Sequence, residues 1–117
     1  MPLIAFYRIV WEELNATESG LRGACKANLN RLAASRPGVP SGLRLEKVHE
    51  KITELKVSWN KQEFRLLFFY GPGSTAYIVN FFQKKTRKIP QAQIELAVKR
   101  MKEIQLEHAT IITRSLH

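Results

Sequence analysis

Residues 52–83 constrain the fold more than any other stretch. Ile52 to Trp59 alternates, with Leu55, Val57 and Trp59 on one side and Glu54, Lys56 and Ser58 on the other, the two-residue period of a half-buried strand. Asn60-Lys61 is a plausible two-residue turn into a second strand, Gln62 to Tyr70. Gly71-Pro72-Gly73-Ser74-Thr75 turns the chain again into Ala76 to Gln83. Three such strands joined by short turns read as an antiparallel meander.

Other segments supply the layers that cover it. Ile4 to Trp11 is rich in β-branched and aromatic residues and reads as a strand. Thr17 is a candidate cap for a helix running to about Ala34, with Leu21, Cys25, Leu29 and Leu32 at helical spacing. Cys25 lies on that apolar stripe and reads as a small core residue. A last helix runs from Pro90 to about Glu107, its stripe formed by Ile94, Ala97, Val98, Met101 and Ile104. The order predicts an α+β domain spanning 1–117, with a small antiparallel sheet of about four strands, an N-terminal helical region and a C-terminal helix. Segment 35–42 is rich in turn residues, and the tail from Ala109 to His117 reads either as a short added strand or as a flexible end.

Composition narrows the chemistry. Nineteen Lys and Arg stand against ten acidic residues, a formal charge of +9, and every acid is glutamate. Without aspartate, aspartic-protease chemistry, an Asp-based triad and Asp-rich calcium or magnesium sites are excluded. Catalysis by Lys, Arg, His or Glu is not. From Arg44 onward fourteen cations face seven acids, so the excess lies in the C-terminal two thirds. Such an excess attracts polyanions, nucleic acid foremost. The single cysteine fits a reducing compartment, and no apolar run approaches a membrane span, so a cytoplasmic protein without membrane contact is expected.

Two clusters carry the candidate chemistry. A turn at Asn60-Lys61 sets Lys56 directly opposite Arg65, and like charges so placed destabilise a sheet unless an anion is expected between them. The plainer alternative pairs Arg65 with Glu54 or Glu63 and leaves Lys56 solvated. Lys84, Lys85, Arg87 and Lys88 follow Phe82-Gln83, where a strand ends and the first N–H groups of a helix could meet a phosphate. A five-residue loop at 71–75 puts Lys85 on the face of Arg65, and a one-residue slip puts Lys84 there. His49, His108 and His117 have no metal-ligand spacing and read as surface residues, and no cofactor is expected. Gly71-Pro72-Gly73 is a turn rather than a phosphate cradle. Phe81, Phe82, Tyr70 and Tyr77 could stack on bases, although a place in the core is the commoner role of such residues.

Glu54-Leu55-Lys56, Arg65-Leu66-Leu67-Phe68-Phe69, Phe82-Gln83-Lys84-Lys85-Thr86, and Pro90 followed by Ile94 and Ala97 resemble the successive motifs of the phage-derived, HigB-like toxins of the RelE/ParE superfamily. The resemblance covers roughly residues 43–107. Members typically carry Arg where this chain has Lys56, and often Thr where it has Ile89. The first difference keeps the charge but loses bidentate phosphate geometry, and the second removes a helix cap.

The resemblance implies a RelE-like fold and the toxin of a type II toxin–antitoxin pair, a metal-independent endoribonuclease that cuts mRNA, commonly on the ribosome. Driving a 2′-hydroxyl onto the neighbouring phosphate needs a base, an acid and positive charge on the phosphorane. Arg65 is then expected to stabilise charge, one of Lys84, Lys85 or Lys56 to act as base, and Arg87, Lys88 and Lys61 to bind RNA. The implied partner is a cognate antitoxin, HigA-like with a helix-turn-helix domain. The alternatives are a ParE-like toxin that binds gyrase and a non-catalytic RNA-binding module. The nuclease expectation requires that Arg65 and the lysines after Phe82 converge without being neutralised by glutamates.

Overall fold

A computed structural model describes residues 3–35 and 42–114. Most of the turn-rich segment, His117 and the last residues of the tail lie outside the described residues. The chain order is β1 (Ile4–Tyr7), α1 (Arg8–Asn15), α2 (Ser19–Ala34), β2 (Arg44–Lys47), β3 (Thr53–Trp59), β4 (Gln62–Tyr70), a short 3-10 turn (Pro72–Ser74), β5 (Ala76–Lys84), α3 (Gln91–Gln105) and β6 (Ile111–Arg114). The strands form one sheet in the order β2-β3-β4-β5-β1-β6. Among the described residues only the β1–β5 pair is parallel.

The α+β class holds, and the sheet is larger than the four antiparallel strands expected: it has six strands and is mixed. Ile4 to Trp11 is not one strand, because pairing stops at Tyr7 and α1 begins at Arg8. Val10 and Leu14, four residues apart, are wholly buried on one face of that helix, so packing overrides the β preference of Ile-Val-Trp. The Thr17 hydroxyl donates to Leu14 O and closes α1, instead of capping α2, whose cap position is Glu18. Strand β2, Arg-Leu-Glu-Lys, is exposed throughout and offers no apolar pattern to read. Residues 111–114 of the tail form β6, antiparallel to β1.

Side chains divide cleanly between the faces. Phe6, Leu55, Val57, Phe64, Leu66, Phe68 and Ile78 pack under α1 and α2, with Cys25, Leu29 and Leu32 from α2. On the other face, Leu67, Phe69 and Val79 meet Ala97, Met101 and Ile104 of α3. The result is three layers, with helices on both sides of the sheet. Among the described residues, no helix is long and apolar enough to cross a membrane.

The hairpins fix the phase of the meander. Asn60 and Lys61 both take positive φ, 52° and 61°, as a two-residue turn of this hand requires. Tyr70 pairs with Ala76, so the second loop spans five residues. Farther along, the ladder slips: Phe68 faces Ile78 but Leu67 faces Asn80, which leaves Val79 as a bulged extra residue on β5. The Val79 carbonyl accepts from Arg100 Nη1 at 2.7 Å, and the same guanidinium lies 4.7 Å from the Tyr7 ring centroid. This bulge supplies the one-residue slip and brings Lys84, rather than Lys85, onto the Arg65 face.

Candidate functional site

The sheet face on which α3 packs carries three cross-strand rows that run out from under the helix toward β2. Glu46, Glu54, Leu67 and Asn80 form the first, Arg44, Lys56, Arg65 and Phe82 the second, and Ser58, Glu63 and Lys84 the third. The predicted register, with Lys56 opposite Arg65, is therefore observed.

The facing cations are compensated from within the sheet. Arg65 Nε lies 3.4 Å from Glu54 Oε2, and Nη1 lies 3.1 Å from Glu63 Oε1 and donates to Phe64 O at 2.9 Å. Lys56 Nζ lies 3.2 Å from Glu46 Oε1 and 3.9 Å from Glu54 Oε1. Glu54 and Arg65 are only 2% and 5% exposed. Arg65 is thus neutralised by two glutamates, so the condition set above for the nuclease is not met at this residue: it is not the open anion-seeking group expected, and Lys56 is not simply solvated. The plainer pairing of Arg65 holds with both glutamates at once.

Glu63 is the outer member of this cluster. One oxygen is shared between Arg65 and Arg44 Nη2, the latter at 3.6 Å, and the other accepts from the Ser58 hydroxyl. Ser58 in turn accepts from Arg44 Nη1 at 2.9 Å. The Ser58 hydrogen bond is the main cause that holds the Glu63 carboxyl below the usual carboxylate range; burial opposes it, and the Arg65 hydrogen bond and the charges of Arg44 and Arg65 each add a smaller lowering.

A second group of cations has no such compensation. Lys61 sits in the β3–β4 turn, Lys84 pairs across from Glu63 in the ladder, and Lys85, Arg87 and Lys88 lie exposed on the connection to α3. None of the five forms an ion pair among the described residues. The Thr86 hydroxyl donates to Lys88 O and folds this connection on itself. Pro90 occupies the cap position of α3 without a side-chain hydrogen bond, and the first turn carries no acid. Its orphan N–H groups add to the positive potential beside Lys88.

Asn80 anchors the start of that helix to the sheet. Its Nδ2 donates to Gln93 O at 2.9 Å and to Gln93 Oε1 at 2.8 Å, from a side chain 1% exposed. Sequence reasoning missed Asn80, as it missed Arg44 and Arg100. Asn80 did carry a signal, being the one polar residue in the run Ile78-Val79-Asn80-Phe81-Phe82.

The remaining candidates resolve as follows. His49 and His108 are exposed. Cys25 is buried, and burial pushes its thiol up to about 12, which makes it inert at neutral pH. Phe81 stacks on Phe64, Tyr77 on Phe69, and Phe82 packs against the α3-side core. Tyr70 is exposed and lines a cleft of about 540 Å³ with Phe69, Tyr77, Ile104 and Ile111, at the opposite end of β4 from the cations.

A family model described as Phage derived protein Gp49-like (DUF891) matches residues 12–102, from α1 through most of α3. No curated protein matches the sequence.

Proposed function

The chain belongs to the Gp49-like family of phage-derived proteins, a group of RelE/HigB-like toxins, and from that premise we propose that it is the toxin of a toxin–antitoxin pair and acts as an mRNA endoribonuclease. One observation carries the reading beyond the family: Lys61, Lys84, Lys85, Arg87 and Lys88 lie without carboxylate partners among the described residues, beside the row that holds Arg65. A rim of this kind binds a phosphate backbone.

Roles follow from position. Lys84 shares the Arg65 face and is the candidate to move a proton at the 2′-oxygen or the leaving 5′-oxygen. Arg65, which Glu54 and Glu63 neutralise at rest, opposes phosphorane charge only once the half-exposed Glu63 carboxylate has left Nη1. Lys56, held by Glu46 and Glu54, positions this pair rather than meeting substrate. Lys61, Lys85, Arg87 and Lys88 hold flanking phosphates. An antitoxin segment rich in acids, laid across the same rim, would neutralise it.

The test is induction in growing cells with primer extension on translated messages. The wild type is expected to arrest growth and leave cuts within messages, and Lys84→Ala to reduce cutting about a hundredfold or more. Arg65→Ala strands the buried Glu54, so its loss of toxicity counts only beside a folded circular-dichroism spectrum. DNA damage without cuts would replace the nuclease with a gyrase-directed toxin, and RNA binding without products would leave a non-catalytic module.

A further inference from the structure

Arg65 has two carboxylate partners of different kinds. Glu54 is 2% exposed and lies 3.4 Å from Nε, whereas the Glu63 side chain is 40% exposed and reaches Nη1 from the solvent side. Glu63 also has a second cation in place. Arg44 lies 3.6 Å from the oxygen that contacts Arg65, and Ser58 binds its other oxygen. A small rotation toward Arg44 would release Arg65 Nη1 while Glu63 kept a counter-ion and a hydrogen bond. The groups that face Glu63 are Ser58 on β3, Arg44 on β2, Arg65 on β4 and, across the ladder, Lys84 on β5.

We propose that Glu63 is a displaceable carboxylate gate: it occupies the position on Arg65 that an RNA phosphate takes, and moves to Arg44 when the phosphate arrives. This rests on reading the rim as an RNA site. A resting Arg65 is then electrically silent toward stray anions. Only a ligand held by Lys84, Lys85, Arg87 and Lys88 acquires the local concentration to displace the tethered carboxylate.

The experiment measures binding of a short 2′-O-methyl RNA, whose blocked 2′-oxygen cannot attack, by fluorescence anisotropy across a salt series. Glu63→Gln keeps shape and hydrogen-bonding capacity and removes the competing charge. It is expected to bind about tenfold more tightly, with the salt dependence steepened by about 0.7 in log–log slope, one additional phosphate contact. The same substitution is repeated in a background of Glu54→Gln with Arg65→Gln, where the buried charges leave together, and the gain is expected to vanish there. No gain in the first background, or an equal gain in both, would overturn the gate. Mapping of message ends reads the nuclease proposal separately: tighter binding without cuts removes the nuclease and keeps the gate, and cuts without the gain do the reverse.

Discussion

Glu54 Oε2 lies 3.4 Å from Arg65 Nε, with both side chains almost wholly inside the protein. The ladder sets Lys56 opposite Arg65, and Glu54, one row along, reaches toward both. The like-charge pair, which taken alone calls for an external anion, is therefore answered internally. Removing one partner of a buried ion pair leaves an uncompensated charge, which costs more than the pair contributes. Glu54→Gln is expected to destabilise the protein by about 3 kcal/mol, measured by urea unfolding. Exchanging both residues for apolar ones of similar size should cost far less than the two single changes added together.

Two glycines of α2 separate helix propensity from packing. Gly23 is exposed, and a Cβ there meets nothing within 4 Å, so Gly23→Ala should stabilise by about 0.5–1 kcal/mol. A Cβ on Gly20 would lie 2.7 Å from Cζ2 of the Trp59 indole, which lies against this turn. Gly20→Ala should therefore destabilise by about 1–2 kcal/mol, the helical gain being outweighed by displacement of a large ring. Thermal melts of the two variants side by side check the contrast.

Arg100 holds the irregularity that phases the basic cluster. Its Nη1 supplies the donor for Val79 O at the bulge, and its guanidinium stacks on Tyr7, whose hydroxyl donates to Glu103 at 2.7 Å. Arg100→Met keeps much of the apolar stem and removes both interactions. The expected loss is about 2 kcal/mol, from an orphaned carbonyl and a lost cation–π contact. Amide exchange at Val79, Asn80 and the following residues of β5 should quicken more than in the β3–β4 hairpin, which localises the effect to the bulge.

Local signals were legible in the sequence and non-local ones were not. The Asn60-Lys61 turn, the opposition of Lys56 and Arg65, and the stripes of α2 and α3 follow from spacing alone, because adjacent residues set them. The bulge at Val79 did not, since it depends on Arg100 twenty-one residues away. Strand β2 escaped because its membership rests on backbone pairing to β3 and not on burial. The Ile4–Trp11 run misled because β-branched residues also serve a helix when one face is wholly buried, as Val10 and Leu14 show. For the candidate site, the residue types and their shared end of the sheet were readable. The pairing of Arg65 with Glu54 or Glu63 was readable too, as the plainer alternative, whereas the hold of Glu46 on Lys56 and of Arg44 on Glu63 was not, because both depend on β2 lying beside β3.

Glu63 gives that compensation a pH signature. Its carboxyl is held below the ordinary range by Ser58, Arg65 and Arg44, so the folded state binds the proton less readily than the unfolded chain. The resulting stability is present above the unfolded-state value of about 4.3 and is lost as pH falls through the lower folded value. Because the Glu63 side chain is 40% exposed, solvent screens its interactions and the contribution is close to that of a surface pair, a melting-temperature difference of about 2 °C at neutral pH. Wild type should therefore melt slightly above Glu63→Gln at pH 7, and the two curves should converge as the pH is taken below 4.3. Taking the difference between the variants removes the titration of the other glutamates, which is common to both. A gap that persisted in acid would assign the effect to packing rather than to the charge of Glu63.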